Sequence, residues 1–600
     1  MGDLSLSKSR IRILALVFSI LLALLSLQLF RVQIFEASNY TTRAMDEMAT
    51  TRTVQAPRGE ITDINGVAFA RSVSAISIVV DQTQINNPAK TAAFVAPILG
   101  LSVGEVQASI TGTRKYSMVL KNGRPALWAK LSAAMDSYNA SLASKDLGDR
   151  IIGFFPERSY IRDYPSGELI SSLVGFVRAD GVGATGLESS MNSIISGTAG
   201  KYSYARANGA EIPGSQNEIV APKAGSTVRL TIDRDVQWIA AKAIADAVKS
   251  SGAANGTVIV MDPRTGAIVA HATAPTFDPN NTKGVTLDLM RNPSVQDVYE
   301  PGSTGKVMTM AAALEEKTVT PTTIFTVPYG LLRAGKTFHD HERHPVEQLT
   351  TTGILAVSSN TGSIQVGETL GSERLYQYLT RFGIGSKTGS GLPGESAGLL
   401  RPVNTWSGTT APTVAFGQGY SLTAMQATSV FATIANGGVR VSPTVIAGTS
   451  DSSGHFTPSA SRDSVRVVSE ETAAKLRIMM ESVVSANGTA PSAAIPGYRV
   501  AGKTGTAQRV DPLTGKYSGY TASFIGFAPA DSPRYVISVT LQRPRNGHFG
   551  GALCGPVFKK VMTFVLQSEH VAPTGTKVLP VALNAAELRT FKATQVSAKR

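Results

Sequence analysis

Strands at both ends of residues 223–568 around a long helical middle, turn-punctuated strand signals over 31–222, and one uncharged apolar run at 13–30 predict an α+β protein. Its main unit is expected to be an antiparallel sheet covered by helices. A β-rich N-terminal module and one membrane-spanning helix should precede it. Six hundred residues exceed what a single core can organise, so several units are expected.

The apolar run is ILALVFSILLALLSLQLF, from Ile13 to Phe30. Eighteen residues at ~1.5 Å rise span about 27 Å, enough for a bilayer core. Lys8, Arg10 and Arg12 precede it. Residues 1–12 are therefore expected in the cytoplasm and everything beyond Arg31 outside it. A cleaved signal fits less well, because the run is long for one and RVQIFEASNY offers no small-x-small cleavage site.

Residues 31–222 carry Asn65-Gly66, a turn dipeptide between short apolar runs, and two glycine-rich stretches without a catalytic pattern. This region reads as scaffold. From 223 the signals sharpen. STVRLTID alternates as a strand, and DRDVQWIAAKAIADAV has helical apolar spacing. NGTVIVMDPRTGAIVAHATAP reads as a hairpin about a Pro-Arg-Thr-Gly turn. Strands return at VAGKTGTAQ, ASFIGFAPA and RYVISVTLQ, and PVFKKVMTFVLQSEH reads as a last helix. Residues 569–600 are expected to be loosely ordered.

The net charge of +14 raises nucleic-acid binding, but the lysines and arginines are scattered and no recognition motif accompanies them. Such a surface suits work beside anionic lipid or an anionic polymer. Cys554 is the only cysteine, which excludes an internal disulfide and a cysteine zinc cage. His339, His341 and His344 crowd into FHDHERHP, without the spacing or companion ligands of a metal site, and read as a polar loop. No metal or cofactor is expected.

Three motifs carry the chemistry. Ser303-Thr304-Gly305-Lys306 lies in YEPGSTGKVMTMAAALEE, where Pro301 and Gly302 precede a helix-forming run. Ser303 is thus expected at or near a helix N-terminus. Residues three apart share a helix face, so the Lys306 amine can approach the Ser303 hydroxyl. A serine needs a base to become a nucleophile, and a desolvated lysine beside another cation can be one. The helix start adds N–H donors near an oxyanion. In Ser358-Ser359-Asn360, Ser358 can relay protons and Asn360 can hold a substrate backbone. Lys503-Thr504-Gly505-Thr506 sits on a strand able to pair with an extended peptide. Gly505 permits close approach, and Lys503 with Thr504 and Thr506 can bind a terminal carboxylate. Each motif alone is common. All three in this order are the signature of active-site-serine β-lactamases and penicillin-binding proteins. The string GSTGK is no phosphate loop, since Glu300 and Val307 stand where that loop needs Gly and Ser or Thr.

The likeness extends beyond the motifs, from the anchor to about residue 568. APRGEITDINGVAFA, YPSGELISSLVGFV and GATGLESSMN resemble the pedestal of class B penicillin-binding proteins. YEPGST, SSNTGSIQVGETLG, RFGIGSKTGSGLPGESAGLL, AFGQGYSLTAMQ and SFIGFAPA resemble their transpeptidase domain. YEPGST with LPGESAGLL leans toward the division-specific branch rather than the elongation branch. The resemblance implies a penicillin-binding/β-lactamase-like domain over 223–568 on a dimerisation-type pedestal over 31–222. It implies a D,D-transpeptidase that cross-links peptidoglycan stem peptides at the septum and is inhibited by β-lactams; a D,D-carboxypeptidase side activity, with water replacing the amine, stays open. Ser303 would be the acylated nucleophile and Lys306 its base. Ser358 and Asn360 would flank the pocket, the Lys503 strand would close it, and the N–H groups of Ser303 and Thr506 would form the oxyanion hole. The glycan strands would come from lipid-linked precursor through a separate SEDS-type polymerase, docked through residues 13–30 and the pedestal. One departure is Gly305, where the family usually has a bulky apolar residue; the nucleophile helix is expected to be less well packed there. A β-lactamase would not need the anchor and pedestal, a non-catalytic scaffold would have lost Ser303 or Lys306, and a sensor would need a cytoplasmic signalling domain.

Overall fold

The computed structural model describes residues 4–40, 49–207, 210–211, 217–510 and 517–597. Helix Leu4–Phe30 contains the uncharged run and continues as a π-helical turn, Arg31–Phe35. The stretch Lys8–Phe35 is long and apolar enough to cross a membrane, and none of it is buried against the rest of the protein.

Contacts divide the chain into two units. The first comprises Met1–Pro57, Ser74–Ile161 and Gly197–Ala224, the second Arg58–Val73, Arg162–Ser196 and Gly225–Arg600. The first has its own core, in which Val95 and Leu99 of helix Pro88–Leu99, Ile110 of Val103–Ile110 and Leu131 of Pro125–Ala140 meet Ile78 and Val80. Helix Val103–Ile110 starts on a capping box between Ser102 and Glu105.

The single scaffold expected over 31–222 is therefore split, with residues 58–73 and 162–196 in the second unit. A buried charge ties these two segments to each other. Glu188 is fully buried and is paired at 2.5 Å with Arg58 and at 2.6 Å with Arg162. A carboxylate taken out of water must be paired, and both partners lie in these segments. Ile61 also pairs in parallel with Val228 of strand Thr227–Leu230.

The second unit is built on a five-stranded antiparallel sheet. Its order is Ile268–Ala274, Asn255–Met261, Tyr535–Gln542, Tyr517–Ala528, Ala501–Val510. Every residue of Tyr535–Gln542 is buried, because helices Arg234–Ser251, Ala424–Ala435 and Gly555–Ser568 pack on the sheet. The strand with Lys503 is the sheet's edge. Cys554 is fully buried in this core, as a small packed residue. Residues 569–600 were expected to be loose, but helix Ala585–Ser597 lies there, and Thr574 and Leu583 make backbone bonds to the body of the unit. Residues 598–600 fall outside the described residues.

Strand Ile268–Ala274 also holds a buried histidine. Gln237 accepts from His271 N at 2.7 Å and donates to His271 O at 2.9 Å, tying helix Arg234–Ser251 to the sheet. The ring Nε2 is bonded to Ser294 Oγ, and burial pulls the imidazole down from 6.5 to about 4. The folded state thus binds fewer protons than the unfolded chain between those values. Stability is fully present above pH 6.5 and is lost as pH falls through 4. In His271→Asn the stability difference between pH 7 and pH 4.5 should shrink by about 2 kcal/mol. An unchanged difference, read from denaturant unfolding of this unit, would show that His271 is not the acid-sensitive group.

Candidate active site

Pro301 leads into a 3₁₀ turn, Gly302–Gly305, which runs directly into helix Lys306–Glu315. Ser303 stands on that turn, half-buried at the floor of a cleft of about 720 Å³. Gly302 N donates to Gly417 O at 2.8 Å, fixing the turn from below. Lys306 begins the helix and is fully buried.

Ser358 ends helix Thr351–Val357 in the left-handed region, at φ 64° and ψ 36°. A non-glycine residue is held there only when its surroundings demand it. The next helix, Asn360–Leu370, starts on Ser359, whose hydroxyl accepts from Gly362 N at 2.9 Å. The sharp junction presents both Ser358 oxygens to Lys306. Lys306 Nζ donates to Ser358 O, lies 3.3 Å from Ser358 Oγ, and donates to Asn360 Oδ1 at 2.8 Å. Lys503, also fully buried, donates to the same Ser358 hydroxyl at 2.9 Å and reaches Thr504 Oγ1 at 3.3 Å. The structure thus brings Lys306, Ser358, Asn360, Lys503 and Thr504 into one bonded cluster. No hydrogen bond joins Ser303 Oγ to Lys306 Nζ among the described residues. Such bonds often tighten only around substrate.

Burial penalises the charged form of both lysines. It lowers Lys306 from 10.5 to about 7, against a smaller upward pull from Asp340. Lys503 is pushed well below the ordinary lysine value, by burial and then by the nearby Lys306 charge. Two ammonium groups on one hydroxyl repel each other, so their titrations are coupled.

The edge strand comes very close to the Ser303 turn. A Cβ on Gly505 would overlap Ser523 Oγ on the neighbouring strand and stand 3.1 Å from Pro301 O and from Thr304 Cγ2, so glycine eases the close approach of strand and turn. Thr506 Oγ1 accepts from Gly550 N at 3.2 Å, and Thr504 Oγ1 shares a proton with Thr489 Oγ1 at 2.8 Å. Both threonines line the cleft.

Two contributors escaped the sequence reading. Asp340, within the histidine-rich segment, is buried against the start of helix Asn360–Leu370. It accepts from Asn360 N, from Thr361 N at 2.9 Å and from Ser359 Oγ at 2.6 Å. A carboxylate at a helix N-terminus is favoured by the unpaired N–H groups there. Its place among the histidines of FHDHERHP reads in sequence only as part of a polar loop. His344 instead bonds Asp340 at 3.0 Å, and no metal-binding group of three occurs among the described residues.

The other is Tyr420. The nucleophile helix was expected to be loosely packed at Gly305, and it is not. A Cβ on Gly305 would overlap Tyr420 Oη and stand 2.8 Å from Gly417 Cα. Tyr420 is 1% exposed, and its ring takes the room that a larger residue at 305 would need. The compensating side chain is 115 positions away in sequence, which hides the exchange from motif reading.

The sequence pattern of the penicillin binding protein transpeptidase domain matches residues 256–563, and that of the penicillin-binding protein dimerisation domain matches residues 53–230. The chain is 35% identical over 595 residues to penicillin-binding protein PbpB of Mycolicibacterium smegmatis, covering 94% of this chain and 91% of that one. It is 31% identical over 545 residues to peptidoglycan D,D-transpeptidase FtsI of Escherichia coli, covering 87% and 85%. The solved structure of penicillin binding protein 3 of Mycobacterium tuberculosis complexed with aztreonam is similar at a TM-score of 0.69 and 32% identity. That match covers 89% of this chain and 100% of the other.

The contact at residue 305 makes a reciprocal prediction. Gly305→Val should destabilise the second unit by about 1–3 kcal/mol through overpacking. Tyr420→Leu in the same chain should recover part of that loss, because it removes the Oη the valine strikes while the close approach to Gly417 Cα remains. Additive losses in the double variant, measured by denaturant unfolding, would refute the exchange.

Proposed function

Because the chain belongs to the class B penicillin-binding proteins, we propose that Ser303 is its acylated residue and that Ser358 is the proton path between Ser303, Lys306 and the substrate amines. The protein is a membrane-anchored, β-lactam-binding peptidoglycan D,D-transpeptidase. The observation that carries the assignment is the single Ser358 hydroxyl shared by two fully buried lysines at the floor of the cleft.

In the reaction, Ser303 Oγ attacks the carbonyl between the two terminal D-alanines of a stem peptide, and its proton passes to neutral Lys306. The oxyanion is held by the N–H groups of Ser303 and Thr506. The C–N bond breaks, and the departing D-alanine amine takes the proton from Lys306 through Ser358. A side-chain amine of a neighbouring stem then attacks the ester, its proton returns along the same path, and Ser303 leaves as the free hydroxyl. Lys503, Thr504 and Thr506 hold the terminal carboxylate, while Asn360 and the edge strand hold the peptide backbone. Water in place of the amine gives the carboxypeptidase side reaction.

Ser303→Ala should lose covalent labelling by a fluorescent penicillin while keeping its fold; a label on another residue would overturn the assignment. Lys306→Arg keeps the charge but not a removable proton, so acylation should fall by about 10² or more. The base works only when deprotonated. Acylation should therefore rise with pH through about 7, where burial places Lys306, and a rate flat from pH 5 to 9 would rule it out.

The division-type stretches YEPGST and LPGESAGLL support a role in septal synthesis. Lys8, Arg10 and Arg12 before the apolar helix support a cytoplasmic N-terminus with the catalytic residues outside. Among its described residues the pedestal, over 31–222, shows no pair of carboxylates in an acid/base setting suited to glycan polymerisation. The polymerase is then a separate SEDS-type membrane protein, docked through residues 13–30 and the pedestal. Reconstituted with lipid-linked precursor, the protein alone should make no glycan. With the polymerase it should yield Ser303-dependent cross-links on the face where added protease also digests residues beyond Arg31. Glycan from the protein alone would refute the division of labour.

A further inference from the structure

Residues 571–597 take no part in the chemistry above, yet they are bonded to both elements that converge on Ser358. At one end, Tyr498 Oη donates to Val571 O at 2.6 Å and Thr574 N donates to Gly497 O at 2.8 Å. Arg499 N reaches Thr574 Oγ1 at 3.2 Å, and Arg499 Nη1 reaches Thr576 Oγ1 at 3.0 Å. Arg499 is buried and paired with Glu481 at 2.6 Å. Two residues later the chain becomes the edge strand Ala501–Val510, which carries Lys503.

At the other end, Thr350 N donates to Leu583 O at 3.0 Å and Thr350 Oγ1 donates to Ala582 O at 2.7 Å. Thr350 is the N-cap of helix Thr351–Val357, whose C-cap is Ser358. The contact is backbone against backbone. A Cβ on Gly353, in the first turn of that helix, would overlap Leu583 O and stand 2.8 Å from Leu583 C. The direction of Leu583 O is fixed in turn. Leu583 N donates to Glu587 Oε2 at 2.7 Å, and Glu587 N donates to Asn584 Oδ1 at 2.9 Å, a reciprocal cap on helix Ala585–Ser597. Between the anchored ends, Val578 and Leu579 are 58% and 53% exposed.

We propose that residues 571–584 are a strap that fixes the spacing between the Lys503 strand and the Ser358 helix, and so positions the hydroxyl that the two lysines share. Helix Thr351–Val357 is seven residues, about 10 Å. A displacement at its capped start is carried to Ser358 with little attenuation. Hydrogen-bonded proton transfer is sensitive to shifts well under an ångström, so the strap acts on rate without touching substrate. The proposal rests on Ser303 being the acylated residue. A wild-type chain that is not acylated by a β-lactam fails that reading, whereas the variants below test the strap alone.

The test uses two full-length variants. Gly353→Ala places a methyl where Leu583 O now lies, and Asn584→Ala/Glu587→Ala removes the cap that aims Leu583 O from outside the cleft. Hydrogen exchange over residues 580–597 reports docking, and the pH profile of β-lactam acylation reports Ser358. Both variants should raise exchange there, slow acylation by about threefold or more and move the rise near pH 7 by roughly 0.5 unit. Combining them should add little, because they break one contact. Raised exchange with wild-type rate and pH profile would reduce the strap to a stabilising element and overturn its positioning role. Unchanged exchange in Gly353→Ala would overturn the docking itself. Should that variant fail to fold, the Asn584→Ala/Glu587→Ala chain decides by the same two readouts.

Discussion

Two lysine side chains removed from water and set on one serine hydroxyl impose the condition that the rest of the second unit meets. Neither ammonium is compensated by a carboxylate in contact. The ligands of Lys306 are Ser358 O, Ser358 Oγ and Asn360 Oδ1, and those of Lys503 are Ser358 Oγ and the two oxygens of Thr504. Neutral acceptors satisfy the N–H groups without stabilising a full charge as a carboxylate would. Burial can therefore keep Lys306 near neutrality. Asp340 raises Lys306 less than burial lowers it, and its oxygens are engaged at the helix start by Ser359, Asn360 and Thr361. Placed on Lys306 instead, it would fix the charge and remove the base.

The same condition explains the local backbone. Ser358 turns both its oxygens toward Lys306 only from the left-handed conformation, and that conformation is locked by caps on both sides, Thr350 behind and Ser359 ahead. The edge strand must bring Lys503 to the opposite side of the hydroxyl, which requires Gly505 to lie against the Ser303 turn. Tyr420 beneath Gly305 then fills the remaining volume under the nucleophile. Interiors are packed as densely as crystals, so the bulk missing at one position has to reappear from another element.

What the sequence revealed and what it hid divide along range. Ser303 and Lys306 are one helical turn apart, and Ser358 with Asn360 spans three residues, so local spacing already implied convergent side chains. The strands and helices of the second unit were readable because apolar periodicity is also local. Asp340, Tyr420 and the Leu583 contact act across tens to hundreds of residues and leave no periodic trace. The division of 31–222 was hidden for the same reason. Glu188, Arg58 and Arg162 look like surface charges in sequence, and only their mutual burial shows that they hold the two segments to each other. The tail misled through composition, since VAPTGTKVLPV looks like a linker and is anchored by backbone bonds that composition cannot reveal.

The protons of this cluster can be arranged in two self-consistent ways. With Lys503 charged, it donates to Ser358 Oγ, and Ser358 donates to the Lys306 lone pair. Lys306 then gives its own two N–H groups to Ser358 O and Asn360 Oδ1. With Lys306 charged, the Ser358 proton turns toward Lys503, and every donor still has an acceptor. The two states differ by the movement of protons along one hydroxyl. Under the proposed roles, a substrate ends the balance. Its terminal carboxylate, held by Lys503, Thr504 and Thr506, favours the charge on Lys503 and repays part of its burial. The Ser358 hydroxyl is then forced toward Lys306, and the amine beside Ser303 is left neutral. The base is thus made ready by the ligand it will act on, through the serine that later passes protons to and from the substrate amines.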